Sequence, residues 1–221
     1  MILPGLMRLN LPLPLGGTTL FIRRRVLDHI GAWDAHNVTE DADLGIRLAR
    51  YGYRTEMLPS VTREEANFRM LPWMRQRSRW LKGYMVTYLV NMRRPIHLAR
   101  QLGLRGFLGF QLLFFVAINQ FLLAPWLLSF WGISFGFDHP ATAIFSANAI
   151  FGLTLLMIGA ELLNISVTLF ALKSCTHRGL FRALPLMLFY MPMGSIAAMK
   201  ALYELIFDPF YWDKTAHGIT T

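Results

Sequence analysis

The sequence predicts an α/β front, residues 1–105, followed by an α-helical membrane region over 106–207, and three observations carry that prediction. Hydrophobic residues make up 54% of the 221 positions and charged residues 16%, against a usual share of about 25% charged. This excludes a disordered chain and argues against an ordinary soluble domain. No charged residue occurs between Arg105 and Asp138, a run longer than the roughly 20 residues a helix needs to cross a bilayer. The charge is also uneven. Residues 1–105 hold 17 Lys or Arg and 8 Asp or Glu, a net of +9, and residues 106–221 hold 5 of each. The single cysteine, Cys175, excludes a disulfide framework, a Cys-rich zinc site and a CxxC redox motif.

The front elements follow from local punctuation. Residues 1–15 are apolar, but they lack a basic leader and are broken by Pro4, Pro12 and Pro14. They read as a proline-rich extended stretch inside a domain, with no signal peptide. The Gly16-Gly17 pair precedes a strand candidate at 18–23 (TTLFIR). Residues 25–30 read as one or two helical turns ended by Gly31. Asn37 or Thr39 can cap a helix running to Tyr51, with Leu44, Leu48 and Tyr51 on one stripe and Gly52 at its end. A second strand candidate covers 53–58 and is closed by Pro59. Residues 73–90 read as a helix with Trp73, Trp80, Leu81, Tyr84, Met85, Tyr88 and Leu89 as its apolar residues. Arg75, Arg77, Arg79 and Lys82 occupy its other faces. Residues 73–105 are therefore expected to form amphipathic, basic helices at the membrane interface.

The rear contains three apolar runs, at about 106–134, 141–172 and 183–207. One such run is explained by a buried core helix. Three in succession leave too little chain to wrap them. The loop near 135–140 has no Lys or Arg, and the next loop has Lys173, Arg178 and Arg182. By the positive-inside rule the basic front and the second loop are cytoplasmic and the first loop is external. The third run holds Pro185, Pro192 and Gly194, with Lys200 and Glu204 near its end. It is read as re-entrant or interfacial, returning 208–221 to the cytoplasm as a tail. Glu161 is the one charge deep in the second run. It marks a pathway, or it sits satisfied beside a polar neighbour such as Asn164, and the two readings weigh equally.

Three clusters are candidates for chemistry. Thr39-Glu40-Asp41 places two carboxylates at a helix start. The plain reading is complementarity to the helix dipole; the functional one is a general base. Asp41-Ala42-Asp43 also fits a D-x-D metal pattern, but positions two apart on a helix point about 200° apart. No metal site is assigned to this chain. Gln76-Arg77-Ser78-Arg79-Trp80 puts Gln76, Arg79 and Trp80 on one face, with Arg77 about a quarter-turn away. Guanidinium forks suit pyrophosphate oxygens, and an indole offers a flat surface to a sugar. The plain reading, a basic helix meeting lipid phosphates, weighs more when the motif stands alone. Gly16-Gly17-Thr18 is either a turn or a close approach to a ligand. Glu64-Glu65 is solvated charge or the wall of a site. The six histidines have no metal-ligand spacing, and no GxGxxG, Walker A or GxSxG motif occurs. Anionic lipid accounts for the basic front without nucleic acid.

The order of these clusters in LPLGGTTLFIRRRVLDHIGAWDAHNVTEDADLGIRLARYGYRTEMLPSVTREEANFRMLPWMRQRSRWLKGY resembles the second half of a family 2 glycosyltransferase catalytic domain. The likeness is to the membrane-integrated polysaccharide synthases, which include cellulose and hyaluronan synthases. It spans residues 13–92, and the terminal PFYWDKTAHG also resembles bacterial members. The resemblance implies that residues 1–72 are the C-terminal half of a GT-A-type domain on the cytoplasmic face of a bacterial inner membrane. It implies inverting transfer from a nucleotide sugar to a growing saccharide or lipid-linked acceptor. Asp41 would be the general base. Gln76, Arg77, Arg79 and Trp80 would bind donor diphosphate and acceptor sugar, with Gly16, Gly17, Thr18, Thr39 and Glu40 lining the substrate site. The first nucleotide-binding strands, the uridine-contacting Asp and the D-x-D that holds Mg²⁺ or Mn²⁺ have no counterpart before Gly16. The metal is expected in the complete enzyme, and its ligands are expected outside this chain. Residues 1–221 alone are expected to be inactive, with an N-terminal half or partner subunit supplying the donor site. The alternatives are a non-catalytic remnant of the scaffold and, on the strength of the apolar rear and Glu161, a small transporter or channel subunit.

Overall fold

The computed structural model describes residues 2–58, 60, 62, 64, 67–173 and 178–211. Pro59, Glu65, Cys175 and residues 212–221 of the expected tail lie outside the described residues.

The helices start and stop where the local chemistry directs. Helix α1 (Ile2–Arg8) occupies part of the stretch expected to be extended. Pro4 lies in its first turn, where a missing N–H costs no intrahelical bond. The chain becomes extended only after Asn10. Helix α2 (Arg24–Ile30) stops at Gly31, whose left-handed φ of 80° lets its N–H bond the Leu27 carbonyl. Helix α3 (Glu40–Arg50) carries Glu40, Asp41 and Asp43 in its first turn and Arg47 and Arg50 in its last, the arrangement a helix dipole favours. Helix α4 (Met70–Met92) contains the whole QRSRW motif. Helix α5 (Pro95–Phe110) begins with proline and is broken at Gly103, where φ is 69° and ψ 165°.

The strand candidates at 18–23 and 53–58 form no sheet, and no strand occurs among the described residues. A strand persists only when a neighbour pairs with its N–H and C=O groups. No such neighbour is present among the described residues. The 17–19 loop is held instead by side chains: Thr18 Oγ1 donates to Glu64 Oε1 (2.6 Å), and the Thr19 and Thr62 hydroxyls lie 2.8 Å apart.

The first apolar run also differs from expectation. Beyond α5 come a π-helical turn (Gln111–Val116), α6 (Ala117–Leu122) and then α7 (Ala124–Ser134). The run is thus two helices separated at Leu123. Pro125, within the first turn of α7, has no N–H to offer the Phe121 carbonyl and its ring crowds that carbonyl, so one helix stops and the next begins. Helix α8 (Ala141–Ile144) is a single turn. Helix α9 (Ala147–Lys173) and helix α10 (Met187–Phe207) follow the second and third runs, with a 3₁₀ segment (Arg178–Leu186) before α10. Pro185 falls in that 3₁₀ segment, and α10 continues through Pro192. The stretches Pro95–Leu122, Ala147–Lys173 and Leu184–Phe207 are long and apolar enough to cross a membrane.

The chain forms two units. The first comprises Met1–Leu122 and Ile196–Thr221, the second Leu123–Ser195. In the first unit, Ile46 of α3 and Leu81 and Met85 of α4 pack with Leu98, Phe110, Phe114, Ile118, Ala197, Ala198 and Ala201. A smaller cluster joins Ile30, Leu44 and Leu48. The extended chain at Leu13 and Leu15 crosses α3 at Gly45, where any side chain would strike the Leu13 carbonyl. Of the apolar residues of α4, Leu81 and Met85 are thus covered by protein, whereas Trp80 and Leu89 stay exposed. Lys82, expected on its basic face, is buried: Nζ donates to the carbonyls of Asp208 (2.8 Å) and Tyr211 (2.9 Å). Carbonyls just past a helix end lack intrahelical partners and attract a cation. In the second unit, Phe130 meets Trp126 edge to face and His139 at a tilt. Helix α9 buries none of its residues, and Glu161 is exposed on it.

Candidate functional site

A cleft of about 570 Å³ opens at the N-terminal end of α3, lined by Gly17, Thr19, Leu20, Trp33, Glu40 and Asp41. Asp41 Oδ1 accepts the Ala42 N–H at 2.7 Å. Its Oδ2 lies toward Gly17, where an added methyl group would stand 3.4 Å from it. A glycine at this position keeps the carboxylate accessible. Glu40 lines the same cleft. Asp43 does not. It is buried, accepts from Arg47 Nε at 2.8 Å, and Arg47 in turn reaches the Ile30 carbonyl at 3.1 Å. Burial raises the Asp43 carboxyl above its ordinary pKa, with Arg47 opposing the rise. The two acids of the D-x-D pattern thus face different surroundings, as helical geometry requires.

On α4 the motif residues organise around Arg77. Its guanidinium lies over Trp80 at 4.7 Å and over Trp73 at 5.3 Å from the ring centroids. Such cation–π contacts hold a planar fork in one orientation. Trp80, grouped by sequence with Gln76 and Arg79, is the nearer of the two rings. Gln76 and Arg79 are half-buried on the same helix.

Two contacts join the α3 and α4 motifs. Gly83 packs directly on Thr39, so that any side chain there would collide with Thr39 Oγ1 and Cγ2. Buried Asn37 donates through Nδ2 to Thr87 Oγ1 at 2.8 Å. Tyr84 lies within electrostatic reach of both motifs. Burial raises its phenol pKa most, the Asp41 charge adds to the rise and Arg77 opposes it.

Of the sequence-predicted residues, Gly17, Glu40 and Asp41 share the cleft. Gly16 has open space around it, Thr18 is tied to Glu64, and Thr39 is buried between α3 and α4. Gln76, Arg77, Arg79 and Trp80 are not among the cleft's lining. Sequence reasoning missed Trp33, Thr19 and Leu20. Trp33 left one signal, an aromatic residue in a glycine-ended loop just before the acidic triplet. No group of three His, Cys, Asp or Glu side chains that could hold a metal occurs among the described residues.

The chain thus carries three helices long and apolar enough to cross a membrane and, in its first unit, a cleft with an accessible carboxylate. The chain belongs to the family described as Glycosyl transferase family group 2, which residues 4–212 match. It is similar to the Probable glycosyltransferase YdaM of Bacillus subtilis, 37% identical over 68 residues, 30% of this chain and 16% of that protein. It is also similar to Beta-monoglucosyldiacylglycerol synthase of Synechocystis sp., 34% identical over 119 residues, 51% of this chain and 25% of that protein. The namesake from Trichormus variabilis is 36% identical over 77 residues, 34% of this chain and 16% of that protein. The matched regions span a quarter or less of these relatives. No solved structure matches the chain.

Proposed function

We propose that the chain is the acceptor-side half and membrane region of an inverting GT-A-type glycosyltransferase. It would move a sugar from a nucleotide sugar to a lipid acceptor at the cytoplasmic face of a bacterial inner membrane. The observation that carries this reading is Asp41 at the start of α3, with Oδ2 toward Gly17 in an open cleft. The name of the Synechocystis relative favours a diacylglycerol-type acceptor. A growing polysaccharide is the second reading, favoured by the likeness of QRSRW to processive synthases.

An alcohol is a poor nucleophile at neutral pH. As its oxygen bonds to the anomeric carbon, the bond from that carbon to the diphosphate oxygen breaks, and Asp41 takes the hydroxyl proton. Arg77, oriented by Trp73 and Trp80, and Arg79 with Gln76 meet the departing diphosphate. Trp80 and Trp33 offer flat surfaces to sugar rings. Polypeptide outside these residues, or a partner subunit, supplies the rest of the donor site. The divalent metal implied for the complete enzyme finds no fitting ligand set among the described residues.

In membranes carrying the complete gene product, Asp41→Asn should cut turnover about 10²–10⁴-fold while donor binding persists. Glycolipid formation from labelled nucleotide sugar and diacylglycerol measures it, and near wild-type turnover overturns the general-base role. For orientation, a cysteine at position 138 in a Cys175→Ser background should react with an impermeant thiol reagent on intact cells. Labelling only after permeabilisation reverses the orientation.

A further inference from the structure

We propose that Asn37, Thr39, Gly83 and Thr87 form a buried clamp that sets the spacing between Asp41 and the QRSRW turn, with Thr87 a positioning residue. The proposal rests on the reading of Asp41 as general base.

Asn37 is 7% exposed, Thr39 6% and Thr87 0%. Asn37 uses both ends of its amide. Oδ1 accepts the Thr39 N–H at 3.0 Å, and Nδ2 donates to Thr87 Oγ1 at 2.8 Å. One side chain thereby links the backbone two residues before Asp41 to α4. Gly83 and Thr87 are four apart and share a face of α4. Gly83 admits Thr39 by steric fit, and Thr87 fixes Asn37 by a directed bond. Either contact alone would leave the interface free to rock about it.

The far end of α3 is fixed as well. Arg50 donates to Asn91 Oδ1 at 2.9 Å, and Asn91 Nδ2 donates to the Thr87 carbonyl at 2.8 Å. Thr87 thus sits in both attachments, through its hydroxyl at one end of α3 and through its carbonyl at the other. Two anchors on one helix remove sliding as well as rotation. A buried amide left without its partner loses a bond that water cannot replace. The register of α3 on α4 is therefore a single, well-defined state. Positioning matters because a general base must stand about 2.6–3.2 Å from the atom whose proton it takes.

The test uses the complete gene product in a Cys175→Ser background, with spin labels on Ala35 and Arg75, both exposed. Thr87→Val removes the acceptor at nearly constant volume. It should broaden the label-to-label distance distribution. It should also lower kcat about 10–100-fold, since a displacement of about 1 Å costs that order, and leave the donor KM within about twofold. Thr87→Ser, which keeps the hydroxyl, should restore both readouts. Gly83→Ala approaches the same interface from the steric side and should lengthen the mean distance. Unchanged distances in Thr87→Val and Gly83→Ala overturn the clamp. So does wild-type kcat in Thr87→Val, or loss of kcat in Thr87→Ser equal to that in Thr87→Val. The distances are read without turnover, so an active Asp41→Asn enzyme refutes the general base separately from the clamp.

Discussion

The two units dispose of their apolar residues in opposite ways. In the first, Leu44, Ile46, Phe110 and Phe114 are fully enclosed, and the buried polar atoms of Asn37, Thr87 and Asn91 find partners in one another. In the second, the 27-residue helix α9 encloses nothing. A helix apolar on all sides and covered by no protein needs a solvent of its own kind, which a bilayer supplies. Specific positions therefore matter in the first unit, whereas along α9 any apolar side chain serves about as well as another.

The sharpest way to break this contrast is to cut leucine to alanine in both. Leu44→Ala should destabilise the first unit by about 2–5 kcal/mol, the range for buried leucines. Leu156→Ala, at a position 70% exposed on α9, should stay within about 0.5 kcal/mol. Thermal melts of the detergent-solubilised protein compare them, and equal losses would erase the distinction. A smaller effect is expected at Lys82. Lys82→Met keeps the buried stem but takes its donor from the Tyr211 carbonyl and leaves the Asp208 carbonyl only the Tyr211 N–H, at a cost of about 1–3 kcal/mol. A more stable Lys82→Met protein would show that the ammonium burdens the fold.

The smallest concerns pH. The folded pKa of Asp43 lies above its ordinary 3.8, chiefly through burial. The folded state then binds more protons than the unfolded one between those two values. The stabilising contribution is complete below 3.8 and is lost as pH rises through the folded value. Against Asp43→Asn, which does not titrate there, the wild type should lose relative stability as pH climbs through that window. A relative gain would reverse the assigned direction.

Much of this contrast is legible in the sequence, and the failures share a cause. Gly31 predicts the end of α2, and the acids and arginines of α3 predict its polarity, because caps and dipoles act locally. The second and third apolar runs are legible because length and composition suffice. Lys82 is misplaced because helix periodicity assigns it to a basic face, whereas its partners lie beyond Phe207. Arg77 is set apart from Trp80 by angle, although a long side chain reaches two rings on its own helix. Asn37 passes for a helix cap, since nothing local shows Thr87 opposite. The strand candidates fail for the same reason: pairing is non-local, and propensity is silent about the partner.

Lys82 also has a consequence for the order of events during synthesis. Its first acceptor lies 126 residues later in the chain. At about 5–20 residues per second, Lys82 is made roughly 6–25 s before Asp208. In that interval three span-length stretches are made. The last few described residues then close a loop of that length on a helix made long before. The first unit is therefore closed only once residues 208–211 have been made, long after α4.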